Sequence, residues 1–133
     1  MQGNFSVIIE VFAQKHFIKS FEKKYKIKWD LTWQYIKEEL ARIDNLLLTS
    51  RAEIITDAGT IKIIKTKFRV VDTKESAKTS GNRSIVAWNK EKQVVSVLLV
   101  YSKTDIANHN ETAEWQRLIR ENYSEYKHLF KHG

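Results

Sequence analysis

The segment KTKFR places Lys65, Lys67 and Arg69 at alternate positions, and Arg83 follows the turn-forming Ser80-Gly81-Asn82. Alternate residues of a strand share a face, so these three cations project together while Ile64, Phe68 and Val70 point to the core. Like charges at that spacing repel one another, and a polyanion lying across them would relieve the repulsion. The chemistry open to such a set is phosphate binding and proton transfer, since a guanidinium fork engages two phosphate oxygens and an ammonium can carry a proton. Lysines on an edge strand also guard against aggregation, and charge alone does not separate the two uses. Further on, Tyr101-Ser102-Lys103 ends a hydrophobic stretch, which brings a phenol and another ammonium to the same end if neighbouring strands pair as hairpins.

The net charge of +7 is unevenly placed. Residues 61–103 hold ten basic residues (62, 65, 67, 69, 74, 78, 83, 90, 92 and 103) against three acids (72, 75 and 91), which accounts for the whole excess; elsewhere thirteen basic residues face thirteen acidic ones. A concentrated positive surface attracts nucleic acid or an acidic protein. Lys62, Lys74, Lys78, Asn82 and His109 are candidates for secondary contacts to such a partner.

Other chemistries lose support. The absence of cysteine excludes disulfides and thiolate metal sites. His128 and His132 stand four apart with no third ligand in view, so no metal and no cofactor is implied. The four glycines are isolated, which excludes a glycine-rich phosphate loop. The run Phe5 to Phe12 is too short to span a bilayer and lacks a signal-peptide pattern, so a soluble, cytoplasmic protein is expected.

The elements that must position these residues follow from periodicity. Phe5 to Phe12 predicts a first strand; Ala13, Phe17, Phe21 and Tyr25 predict a helix; Trp33, Ile36, Leu40, Ile43 and Leu47 predict a second, with Asp30 as its cap. Glu53 to Thr56 and Thr60 to Val71 predict a hairpin turning at Asp57-Ala58-Gly59. Ile61 and Ile63 share parity with the lysines, so either a bulge near Ile63-Ile64 or an end to the sheet's cover is expected there. Residues 72–82 read as an exposed loop, Arg83 to Asn89 as a strand, and Gln93 to Tyr101 as a central strand buried on both sides. Asn108 and Glu111 fit a capping box ahead of a last helix carrying Trp115, Leu118, Ile119, Tyr126, Leu129 and Phe130. Trp33, Trp88 and Trp115 belong to apolar stripes, whereas Trp29 stays open between core and base stacking. The order predicts one α+β domain over residues 1–133, with a mainly antiparallel sheet of about four strands, an N-terminal helical hairpin and a C-terminal helix.

With the basic strand, Lys78-Thr79-Ser80-Gly81-Asn82-Arg83 and Tyr101-Ser102-Lys103 in this order, the chain resembles the RelE superfamily of bacterial toxins, particularly its HigB-like branch. The motif-bearing similarity covers about 45 residues, and the element order fits over the whole chain. The resemblance implies a RelE-like fold and a metal-independent endoribonuclease that cleaves messenger RNA on the ribosome through attack of the 2′-hydroxyl on the adjacent phosphate. It also implies neutralisation by a cognate antitoxin. Lys65 and Lys67 match the family's paired lysines, the second the better placed as base, and Arg83 matches the phosphate-clamping arginine, with Arg69 adding charge. Thr104 stands where RelE has an arginine able to act as acid, leaving Lys103, Tyr101 or His109 as substitutes. Asn82 replaces the usual aromatic.

Two other functions fit the same residues. A ParE-like member of the superfamily would inhibit DNA gyrase by protein contact, and a non-catalytic RNA-binding module would use the same patch without chemistry. Transcript ends after induction, and the presence of a cyclic-phosphate product, separate the three.

Overall fold

Residues 4–106 and 110–130 are described in a computed structural model of the chain. The β-branched run Ser6–Ile9 forms β1, and the expected strand stops there because Val11 opens a helical stretch. That stretch consists of α1 (Val11–Ala13), a π turn (Gln14–Ile18) and α2 (Lys19–Tyr25). Lys26, with φ 54° and ψ −123°, reverses the chain into α3 (Ile27–Ala41). Helix α3 therefore starts ahead of Asp30, which lies in its first turn instead of capping it, where a carboxylate still favours the positive end of the helix dipole. A break at Arg42 separates α3 from α4 (Ile43–Leu46).

The remaining strands are β2 (Ala52–Asp57), β3 (Ile61–Phe68), β4 (Asn82–Asn89) and β5 (Val94–Ser102). They form a mixed sheet of five strands, one more than expected, in the order β1-β5-β4-β3-β2. Neighbours are antiparallel except β1 and β5, which run parallel from Ser6↔Val94 to Ile9↔Val97. The turn between β2 and β3 uses Gly59 at φ +89°, whose N–H donates to Asp57 Oδ1 at 3.0 Å. A positive φ of this kind suits glycine.

The chain closes with α5 (Lys103–Ile106), α6 (Glu111–Asn122) and a 3₁₀ turn over Ser124–Leu129. Asn110 caps α6 by accepting the Ala113 N–H at 3.2 Å. The expected cap, Asn108, lies outside the described residues. Helix α6 also ends earlier than the apolar stripe suggested, at Tyr123, whose hydroxyl donates to the Leu98 carbonyl at 2.7 Å.

Each sheet face has its own core. The helical hairpin covers Ile64, Phe68, Val86, Trp88, Val95 and Val97 with Ile18, Phe21, Trp29, Ile36 and Leu40. Helix α6 and the segment after it cover Ile63, Ile85, Ala87, Leu98, Leu99 and Tyr101 with Trp115, Ile119, Tyr123 and Phe130. Strand β5 is thus buried on both sides, as its continuous apolar run requires. Trp29 belongs to the core, stacked on Phe21. Each fully buried side chain of this size contributes roughly 1.5–3 kcal/mol.

Strand β3 pairs with β4 without interruption from Ile61↔Asn89 to Phe68↔Asn82, so no bulge falls at Ile63-Ile64. The irregularities lie instead between Ile54 and Thr56 in β2 and opposite Ile85/Val86 in β5. The second turns both Leu98 and Leu99 toward α6. The change of β3 from apolar to basic comes from cover: α6 lies over Ile63, and the lysines lie beyond its first residue. Among the described residues no helix is long and apolar enough to cross a membrane.

Candidate functional site

Register brings the central residues together. Lys67 stands opposite Arg83, and Arg83 opposite Tyr101, so an ammonium, a guanidinium and a phenol form one row across β3, β4 and β5. Adjacent strands are about 4.8 Å apart, so the three side chains stand side by side, Lys67 partly exposed and Arg83 and Tyr101 buried. Lys65 lies two residues along β3, and Lys103 two residues beyond Tyr101. Four of these five come from three strands, as hairpin connectivity predicts, and Lys103 opens α5.

Glu111, the first residue of α6, meets this face from above. Its Oε2 accepts the Tyr101 hydroxyl at 2.6 Å and lies 3.1 Å from Lys65 Nζ, while Oε1 lies 3.8 Å from Lys103 Nζ. Burial alone would raise the Glu111 carboxyl, but hydrogen bonds from Tyr101 and Lys65, with the charges of Lys65 and Lys103, outweigh it and hold the group below the ordinary carboxylate value. The Tyr101 hydroxyl is pushed far above its usual range, first by burial and then by its bond to the Glu111 carboxylate, against the opposing charge of Arg83. Tyr101 therefore stays protonated, with its proton directed at Glu111.

Arg83 is 4% exposed and its guanidinium is largely committed. Nη1 donates to the carbonyls of Asn82 (2.9 Å) and Ala77 (3.4 Å), and Nη2 donates to that of Lys78 (3.2 Å). Its Nε–H is buried without a partner among the described residues. In this arrangement the arginine ties the loop before β4 to the sheet. Ser80 assists by donating to the Phe68 carbonyl at 2.6 Å, and Gly81, at φ +77°, lets the chain turn against Lys103. A Cβ at Gly81 would lie 3.7 Å from that of Lys103, whose N–H donates to the Gly81 carbonyl at 2.8 Å.

Lys67 differs from its neighbours, for its ammonium has no hydrogen bond or ion pair among the described residues. Arg69 is exposed and donates from Nη1 to the Thr73 carbonyl at 3.2 Å. Lys74 and Lys78 are exposed on the loop. Lys62 projects from the opposite face and pairs with Asp57 at 2.7 Å. Asn82 belongs to β4, opposite Phe68 and Ser102, and likewise turns away from the cation row. His109 lies outside the described residues, as does His132 of the candidate metal pair. No group of three or more metal-ligating side chains occurs among the described residues.

The sequence pointed to the cations and missed the anion that organises them. Glu111 is legible locally as a helix-capping residue, and only the fold carries its carboxylate to Lys65. A glutamate in the first turn of the helix that follows a strand ending in Tyr-Ser-Lys was the available signal. Comparison with protein-family models, curated proteins and solved structures gives no match to the chain.

Proposed function

We propose that the chain is a RelE-like toxin, a metal-independent endoribonuclease acting on messenger RNA at the ribosome and held in check by an acidic antitoxin. The observation that carries this reading is the cross-strand row Lys67, Arg83 and Tyr101, flanked by Lys65 and Lys103. The scissile phosphate lies over that row. Lys67, whose side chain has no partner among the described residues, takes the proton of the 2′-hydroxyl as the neutral amine and becomes the ammonium. Lys65 stabilises the charge that develops on the phosphate oxygens, and the buried Arg83 guanidinium adds positive charge from beneath. Lys103, with 48% of its side chain exposed, protonates the departing 5′-oxygen. Glu111 holds the position that a substrate phosphate would take between Lys65 and Lys103, and it orients Tyr101.

Induction of the wild type should arrest growth and leave messages ending in a 2′,3′-cyclic phosphate, and Lys67→Ala should abolish both. Full toxicity of Lys67→Ala and Lys65→Ala, or intact messages beside damaged DNA, would overturn the reading; the second result favours gyrase inhibition.

A non-catalytic RNA-binding module is the second reading, and the engaged, buried guanidinium of Arg83 favours it. It predicts salt-dependent RNA binding with no cyclic-phosphate product on translating ribosomes.

A further inference from the structure

The outer side of α3 carries a stripe that none of the described residues covers. Lys28, Leu31, Tyr35 and Glu38 follow one another at intervals of three, four and three residues, which keeps them on one side of the helix. All four are exposed, and for the two large apolar side chains the exposure is high, 49% for Leu31 and 60% for Tyr35. The buried residues of α3 are Trp29, Thr32, Ile36 and Leu40, so the stripe is not the core side of the helix. Neither Lys28 nor Glu38 has an ion pair among the described residues. Tyr35 and Glu38 also border an open cleft of about 930 Å³ between α3 and residues 69–77, which leaves room beside the stripe.

The order of these four residues is self-complementary. When two copies of α3 lie antiparallel about a two-fold axis at Trp33, Lys28 of one copy stands opposite Glu38 of the other, and Leu31 opposite Tyr35. Each ammonium then meets a carboxylate, twice by symmetry, and between these pairs each leucine packs on a tyrosine ring. An isologous interface has this property, since every contact of one residue with another occurs a second time with the copies exchanged. The same stripes set parallel would oppose Lys28 to Lys28 and Glu38 to Glu38, and like charges repel.

We infer that α3 is the contact surface of a weak two-fold dimer of this chain, held by two Leu31–Tyr35 contacts and two Lys28–Glu38 ion pairs across antiparallel helices. A single helix pair buries less surface than a standard interface, so the association is transient and depends on concentration. Exposed ion pairs add little energy, and their part here is to fix the direction and register of the two helices. The inference is independent of the RNA reading. Helix α3 covers the hairpin face of the sheet, whereas Tyr101 and the rest of the cation row lie on the other. Both rows of the dimer stay open.

The test is sedimentation velocity of the full chain over a concentration series, with Lys28→Glu and Glu38→Lys as variants; both positions are exposed, so neither change disturbs a buried residue. The wild type should pass from monomer to dimer as concentration rises. Each single reversal sets like charges opposite one another at both ends of the interface and should weaken the dimer by about tenfold. An equimolar mixture of the two variants should recover wild-type association, because each chain supplies the charge that the other lacks. The double variant Lys28→Glu with Glu38→Lys should recover it as well. Single reversals that dimerise as well as the wild type overturn the proposal by moving the contact to another face, and a mixture no better than its components overturns the antiparallel pairing. A wild type that stays monomeric up to about 1 mM overturns the dimer altogether and leaves the stripe to a partner of another sequence.

Discussion

The two faces at the Lys67–Arg83–Tyr101 end of the sheet are held in different ways. On the α6 side, charge does the ordering: Glu111 ties Lys65, Tyr101 and Lys103 together, and Arg83 fastens the preceding loop. On the hairpin side, aromatic packing of Phe21, Trp29 and Phe68 does the ordering, and the Asn82 amide has no hydrogen-bond partner among the described residues. The first face is preorganised but partly occupied by its own carboxylate, so an incoming phosphate must displace or join Glu111. The second is held by apolar contacts, with no ion pair to Asn82 among the described residues. One strand, β4, supplies both through consecutive residues.

The largest expected effect separates those two residues by stability. Arg83→Ala removes the donors to the Ala77, Asn82 and Lys78 carbonyls and should cost roughly 2–4 kcal/mol in urea unfolding. Asn82→Ala deletes an amide without a hydrogen-bond partner among the described residues and should change stability by less than about 1 kcal/mol. Equal losses would erase the distinction between the faces.

Next in size, Glu111→Gln keeps an acceptor for Tyr101 but removes the negative charge beside Lys65 and Lys103. A stability loss of about 1 kcal/mol is expected for so partly shielded a pair. The cations it frees should steepen the salt dependence of RNA binding, by roughly 0.7 in log–log slope for each. An unchanged slope would mean that Glu111 does not compete with phosphate.

The same carboxylate sets an acid limit. Its value in the folded chain is depressed, so the stability it contributes is present above the ordinary unfolded carboxyl value and is lost as pH falls through the lower folded one. Melting between pH 5 and pH 3 should therefore fall more steeply for the wild type than for Glu111→Gln. Tyr101 works in the opposite sense. Its folded value is raised, so its contribution is present below the ordinary phenol range near pH 10 and is lost as pH climbs above it. Tyr101→Phe should flatten the alkaline limb of the melting profile.

The smallest effect is expected from Lys62, which lies on the hairpin side in its pair with Asp57. Lys62→Ala should leave the salt dependence of RNA binding unchanged, whereas Lys67→Ala should lower the slope by roughly 0.7.

What could be read from the sequence was what is encoded locally. The parity of Lys65, Lys67, Phe68 and Val70, the doubly buried β5 and the helical hairpin all depend on short-range periodicity, and the structure bears them out. What could not be read depends on distant contacts. The parallel pairing of β1 with β5 has no local mark, and Val11 begins a helix because the apolar period changes at Phe12, inside the run that suggested a strand. The β5 irregularity is invisible where apolar residues occupy both faces. At the site, the cations could be found by type and spacing, but the bonds from Arg83 to its own loop and the reach of Glu111 to Lys65 required the fold.

The parallel pairing of β1 with β5 also constrains the order of folding. β1 has no strand partner until residues 94–97 have been made, so closing that pair encloses most of the chain. Non-local closure of this kind is slow, and the hairpins β2–β3, β3–β4 and β4–β5 can form before it. The cation row is completed at Tyr101, while Glu111 reaches it only when α6 docks. A nascent chain therefore displays an unshielded basic face in the interval between those two events, and the carboxylate that later quiets it arrives last.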